Sequence, residues 1–354
     1  MMRIVIVGAG AVGQVYGHHL ALGGAQVSVL VKPPRPAPQG VTAPARGAEA
    51  RAGYTLTRIQ PFGPRKTSTF LPEKVFTSAL DLRGEAIDQI WLCLPTNRLD
   101  PVLLGDLSDA APRATIVVLA PGHFVRALVD PIVGATRTVY GLIAMMSFVS
   151  PMKGSSDPRE TATPAGVAYM LSTTKLGGSN EMRALEAVSG LRLGGCPADY
   201  QANISDQMTI SSAGLMATVA SLEVADWSFQ TLREPGRVDL CARAMRESLD
   251  IAAAEIGKPA PFYTPLIHPQ LISLASFLVP KLAPLDVERF LEVHFSKVDE
   301  QTTLLLNTTL EDGKRLGLAT EALSELCALL LESRATASAA PAPVKRKADS
   351  AHAE

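Results

Sequence analysis

Arg3-Ile4-Val5-Ile6-Val7-Gly8-Ala9-Gly10-Ala11-Val12-Gly13 is the stretch that decides the fold. A β-branched run leads straight into G-x-G-x-x-G, and a helix-like segment follows. The three glycines have separate tasks. Gly8 allows the tight turn out of the strand. Gly10 leaves the backbone bare, so that a pyrophosphate can approach. Gly13 lets the helix lie close to the strand. The helix N-terminus then turns free N–H groups and the positive end of its dipole toward the phosphates. The plainer alternative is a glycine-rich turn in an ordinary βα unit. The position after a strand and before a helix favours a dinucleotide site built from Gly8, Ala9, Gly10, Ala11, Val12 and Gly13.

The second strand, residues 26–31, points to the cofactor. A site specific for NAD usually places Asp or Glu about 20 residues past the glycine loop, on the ribose 2′-hydroxyl. Here that position reads Val31-Lys32-Pro33-Pro34-Arg35, and no Asp or Glu occurs before Glu49. A carboxylate would repel a 2′-phosphate, whereas Lys32 and Arg35 attract it. The expected cofactor is NADP(H). The competing reading makes Lys32 and Arg35 solvated loop charges.

Bulk composition narrows the rest. At 354 residues the chain is long enough for two domains with cores of their own. Apolar residues make up 47% and charged residues 19%, and the net charge is −1, so no nucleic-acid partner is implied. Cys93, Cys196, Cys241 and Cys327 are scattered with no C-x-x-C pair, so no metal site is expected from them. No apolar stretch reaches the roughly 20 residues of a membrane span. A cytoplasmic enzyme with no membrane partner is the expectation.

Along the chain, strand and helix signals alternate first. Residues 33–70 show little period, with an irregular segment and a short strand expected over 41–54. Residues 87–94 read as a buried strand ending at Pro95-Thr96-Asn97, and 114–119 as another ending at Ala120-Pro121-Gly122-His123. Further strands are expected over 138–146 and 167–172, with a surface loop over 151–164. Ligands of open α/β sheets bind beyond the carboxyl ends of strands. Leu94, Pro95, Pro121 and Gly122 are therefore expected to border the nicotinamide. After about residue 200 the pattern is helical, with Ile204, Met208, Ser211, Leu215, Val219 and Leu222 at helical spacing. Helices are expected over 238–256, 286–313 and 320–332. The fold class is an α/β Rossmann N-terminal domain over 1–198 and an all-α C-terminal domain over 199–333. A disordered Ala/Pro/Lys-rich tail is expected over 334–354.

This organisation resembles the ketopantoate reductase family, one of the 6-phosphogluconate-dehydrogenase-like enzymes. The resemblance is carried by the GAGAVG loop, Lys32 after the second strand, Thr115-Ile116-Val117-Val118-Leu119-Ala120-Pro121-Gly122, and the helix of Met245, Glu247, Ala252, Ala253 and Gly257. It implies NADPH-dependent reduction of a 2-oxo group, in the pathway to coenzyme A (pantothenate biosynthesis). A lysine would give the proton to the carbonyl oxygen, and an asparagine and a glutamate would hold the substrate. The resemblance puts the lysine on Gln207, a nearby asparagine on Ser211, the glutamate near Gln301, and the asparagine of the family's Asn-Gly turn on Pro121. No lysine lies anywhere between Leu176 and Pro235. The cofactor half of the pattern is kept and the proton-donor half is rewritten.

Replacement groups are found further on. On one continuous helix over 286–313, His294, Lys297 and Gln301 fall within roughly 60° of one another, on or beside an apolar stripe. His294 or Lys297 is expected as proton donor and Gln301 as a substrate ligand, with Gln207 and Ser211 as further substrate contacts. The plainer reading makes His294 a core residue and lets Lys297 snorkel to water. His123 is a secondary candidate on the loop bordering the nicotinamide. His18 and His19 lie on the first helix, with one expected at the surface, and His268 is expected to be structural. The expected partner is a small carbonyl substrate, with a homodimer expected by analogy. Two alternatives stand beside the reductase: an NADP-binding sensor without catalysis, and an opine-dehydrogenase-like enzyme using a histidine.

Overall fold

The computed structural model describes residues 1–32, 52–60, 63–155, 157–158 and 163–339. Arg35 and residues 41–51 lie outside them.

Twelve strands among the described residues form two sheets. The larger is built from β1 (Arg3–Val7), β2 (Gln26–Leu30), β5 (Val75–Phe76), β6 (Gln89–Leu92), β7 (Thr115–Val118), β8 (Thr138–Leu142), β11 (Thr174–Gly177) and β12 (Ala198–Tyr200), in the order β12-β11-β8-β7-β6-β1-β2-β5. All neighbours pair in parallel except β8 and β11. Both faces are covered, which explains the unbroken apolar run of β1. Ile4 and Ile6 join one core with Trp91, Val117 and Val139, while Val5 and Val7 join the other with Ile90, Leu92 and Val118. Helices α1 (Ala11–Leu22) and α4 (Glu181–Leu193) cover the first face. Helices α2 (Pro101–Ala110) and α3 (Phe124–Val133) cover the second.

The second sheet runs β4-β3-β10-β9, from β3 (Tyr54–Arg58), β4 (Lys66–Phe70), β9 (Met146–Ser150) and β10 (Gly166–Met170). It clamps α1 from the side opposite the main sheet. Gly17 marks the closeness, since a Cβ there would lie 2.8 Å from the Phe70 ring. This sheet is where the sequence reading falls short. The stretch expected over 138–146 is two strands, β8 and β9, in different sheets, and the strand expected over 167–172 is β10. Between two sheets, α1 has no solvent face of its own. Both His18 and His19 are buried, contrary to the expectation that one reaches the surface. His18 Nε2 pairs with Ser68 Oγ at 3.0 Å, and His19 Nδ1 donates to the Gly194 carbonyl at 2.7 Å.

The C-terminal region is helical: α5 (Ile204–Val224), α6 (Phe229–Leu232), α7 (Arg237–Glu255), α8 (Pro269–Leu282), α9 (Val287–Phe295), α10 (Asp299–Leu316) and α11 (Glu321–Ala339). Met216, Ala220, Leu240, Ile251, Leu305 and Leu326 pack its core. Three boundaries differ from the sequence reading. The helix expected over 286–313 is broken at 296–298. There Ser296 ends α9, and the acidic pair Asp299-Glu300 opens α10, where negative charge suits a helix N-terminus. Helix α11 continues to Ala339, past the point where the tail is expected to begin; residues 340–354 lie outside the described residues. Strand β12 carries the main sheet to Tyr200. No single helix among the described residues is long and apolar enough to cross a membrane.

Candidate active site

Strand order reverses at β1, with β2 on one side and β6 on the other. Ligands of open α/β sheets bind outside the carboxyl edge at such a reversal. The loops that leave β1, β6 and β7 meet there.

The glycine loop has the shape its sequence predicts. Gly8 adopts φ +94°, and a Cβ there would lie 2.7 Å from the Cys93 carbonyl oxygen and 2.8 Å from Leu94 Cδ2. A Cβ on Gly13 would lie 2.1 Å from the Gly8 carbonyl oxygen, so α1 and β1 are in backbone contact. Gly10 is the opposite case: a Cβ there would meet nothing within 4 Å, and the position is exposed. Gly10 also caps α1 without any side-chain hydrogen bond, which leaves the first-turn N–H groups for a ligand. Ala9 is held by Gln14, whose Nε2 donates to its carbonyl at 2.9 Å. Ala11 and Val12 form the first helical residues, half-buried. This cradle fits a pyrophosphate. Lys32 is exposed two residues beyond β2.

The other two loops are tied side by side. Thr96 Oγ1 donates to the Pro121 carbonyl at 2.6 Å, fixing the turn at Pro95 against the turn at Pro121. They are then fastened to the helical region. The Thr96 N–H donates to Gln301 Oε1 at 2.7 Å, and Asn97 Nδ2 donates to Glu300 Oε2 at 2.5 Å. Gln301 is only 9% exposed. Its carboxamide satisfies a buried backbone donor from the other domain, a role its sequence position did not suggest.

The remaining candidates are dispersed. The break after Phe295 removes the continuous helix on which His294, Lys297 and Gln301 shared a wall. His294 stacks on Phe290 with centroids 5.4 Å apart and meets Phe295 edge-on at 4.9 Å. Phe290 in turn packs on Phe148 of the second sheet. Burial, and then the charge of Lys297, push the His294 imidazole below its ordinary range. Lys297 itself is exposed. Gln207 and Ser211 line a pocket with Asp206, Lys258 and Tyr263, separate from the one at the β7 loop.

The β7 loop opens on a different, narrow pocket between the two regions, with a cavity volume of about 20 Å³. From α5, the residues facing it are Thr209, Ser212, Ala213 and Met216. His123 enters from the Rossmann side, and Asp312 and Glu255 from α10 and the end of α7. His123 Nε2 lies 3.2 Å from Asp312 Oδ2. Arg315 Nη2 donates to Asp312 Oδ1 at 2.9 Å and also to Glu255 Oε2. No lysine or arginine lines this pocket among the described residues. Asp312, Glu255 and Thr209 were missed from sequence. Asp312 and Glu255 are scattered charges on helix surfaces until the fold brings them together. Thr209 and Ser212 differ from Gln207 and Ser211 only by helical phase.

Comparisons with known proteins agree with this architecture. Residues 4–155 match the family model described as ketopantoate reductase PanE/ApbA. No curated protein matches the sequence. Among solved structures, 2-dehydropantoate 2-reductase from Methylococcus capsulatus superposes with TM-score 0.69 at 20% identity, covering 96% of this chain and 99% of that one. D-mandelate dehydrogenase, in a ternary structure with NADH and anilino(oxo)acetate, gives TM-score 0.66 at 15% identity, covering 95% and 99%. A PanE/ApbA family ketopantoate reductase from Ralstonia eutropha JMP134 gives 0.65 at 16%, covering 95% and 99%. At these identities the structural likeness establishes a shared fold, an α/β sheet domain followed by a helical region. Residues 4–155 thus resemble a ketopantoate reductase PanE/ApbA domain, and the chain shares the fold of the reductase structures it matches.

Proposed function

We propose that the chain is an NADPH-dependent reductase of a small carbonyl compound, a 2-oxo acid or a related metabolite. The observation that carries this reading is the glycine loop, open at Gly10 and closed at Gly8 and Gly13. Residues Gly8 to Gly13 would hold the pyrophosphate, and Lys32 and Arg35 the 2′-phosphate. Leu94, Pro95, Pro121 and Gly122 would border the nicotinamide. When bound, the reduced nicotinamide supplies a hydride to the carbonyl carbon. The names of the similar structures support the substrate class, since 2-dehydropantoate is a 2-oxo acid and mandelate is the reduced form of one.

The chain's own residues do the rest. Thr96, held by Gln301 and holding Pro121, keeps the two loops at fixed separation, so a carbonyl bound between them meets a constant geometry. We assign Gln301 this positioning role.

The test is NADPH oxidation by purified protein, followed by absorbance, with ketopantoate and other 2-oxo acids. Turnover supports the reading. A protein that binds NADPH and reduces none of them is instead the non-catalytic binding protein, a second reading favoured by the pocket's lack of lysine. Within the first reading, Lys32→Ala should weaken NADPH binding by about tenfold, roughly 1.4 kcal/mol, and leave NADH unchanged. Equal loss for both cofactors would remove the 2′-phosphate role.

A further inference from the structure

We propose that His123, oriented by Asp312, is the proton donor of this enzyme. The inference rests on the reductase reading above and names the group that replaces the absent lysine.

Geometry carries the argument. His123 stands directly after Gly122, on the loop that leaves β7 at the carboxyl edge of the sheet, where the nicotinamide half of a dinucleotide lies. Its ring lines the pocket between the two regions, opposite Thr209 and Ser212 of α5. Nε2 lies 3.2 Å from Asp312 Oδ2, and a carboxylate at that distance favours the tautomer with its proton on Nε2. That tautomer leaves Nδ1 as the nitrogen that can exchange a proton with a substrate. Arg315 donates to the other Asp312 oxygen at 2.9 Å, which favours the rotamer that faces His123. Arg315 also neutralises Glu255, so the carboxylates of the cluster already have their counter-charge. A ring with one nitrogen facing a half-buried carboxylate and the other free is the arrangement that positions an imidazole for proton transfer.

The step balances. Reduced nicotinamide, when bound, would supply the hydride and its electron pair to the carbonyl carbon. The carbonyl oxygen takes the proton as the Nδ1–H bond breaks. The products are an alcohol, the oxidised nicotinamide and a neutral imidazole, which is reprotonated from water. Asp312 acts through His123 and is a positioning residue.

The experiment has two readouts. Two-bond 1H–15N NMR of the wild-type protein reports which nitrogen of His123 carries the proton in the neutral ring; Nε2–H is expected. Steady-state kinetics with NADPH and the 2-oxo acids related to pantoate and mandelate is then run on wild type, His123→Asn and Asp312→Asn. His123→Asn should lower kcat by about 100-fold or more, with the NADPH Kd within twofold and KM little changed. Asp312→Asn should lower kcat by about tenfold or more and shift the tautomer toward Nδ1–H. If His123→Asn is poorly folded, Asp312→Asn and the tautomer decide. A wild type that turns over while His123→Asn stays within threefold of it overturns the assignment alone. So does a neutral ring protonated at Nδ1. A wild type that binds NADPH yet reduces none of these acids overturns the reductase reading and this assignment with it.

Discussion

Gly10 and Gly13 lie three residues apart in one motif, and the structure separates what each does. Gly10→Ala adds a methyl where nothing lies within 4 Å. Alanine is a poorer N-cap than glycine by up to about 1 kcal/mol. It also restricts the unfolded chain, which returns about 0.4–1 kcal/mol. The net effect on stability is close to zero. The methyl does, however, occupy the approach of the pyrophosphate, so NADPH affinity should fall at least tenfold, about 1.4 kcal/mol. Gly13→Ala has the reverse profile. Its methyl would sit 2.1 Å from the Gly8 carbonyl oxygen and 2.9 Å from Ile6 Cγ2, and neither backbone nor core can yield cheaply. Helix α1 must retreat by about an ångström, at an overpacking cost of about 3 kcal/mol. Helix propensity returns about 1 kcal/mol. A net loss of about 2 kcal/mol lowers the melting temperature of a domain of this size by roughly 4–8 °C. Thermal unfolding without cofactor and a fluorescence titration with NADPH measure both quantities. The reasoning is refuted if Gly10→Ala binds NADPH like wild type, or if Gly13→Ala melts like wild type.

Further outcomes follow from buried polar groups. Burial, and then the neighbouring His19, lower the His18 pKa from 6.5 to about 4, and burial lowers that of His19 as well. Both rings stay neutral in the folded state while the unfolded chain takes up protons. Their contribution is therefore complete above pH 6.5 and is lost as pH falls toward 4. For His18 the loss amounts to about 3 kcal/mol. Denaturant titrations at pH 7.5 and 4.5 should show this drop in wild type and a smaller one in His18→Asn; equal drops would count against it. Gln301→Leu leaves the Thr96 N–H without its partner, at a cost of about 1–3 kcal/mol. It should also loosen the Thr96 loop, raising amide exchange there, and unchanged exchange would mean that the fastening is incidental.

The shape of the glycine loop was legible in the sequence because it is local. A strand, a turn and the start of a helix within eleven residues contain the whole of its geometry, so each glycine's backbone task follows from its place in the motif. The loops after β6 and β7 were legible for a related reason: each is placed by the strand that precedes it. Other features were hidden by their dependence on distant pairing. The second sheet joins segments more than a hundred residues apart, such as Leu56 and Val167, and no period in residues 33–70 announces it. That sheet, rather than anything in α1 itself, is what buries His18 and His19. The break at 296–298 turns the angular argument for His294 and Gln301 into one about two separate helices. One residue then stacks in an aromatic cluster, and the other closes a hydrogen bond 205 positions away. The contact of His123 with Asp312 and Arg315 has the same character. Spacing determined a glycine-rich turn between a strand and a helix, and the family resemblance marked a lysine as missing. Only the packing of the helical region on the sheet decided which polar groups face the crevice, because helical phase and domain approach, both set by long-range burial, select them.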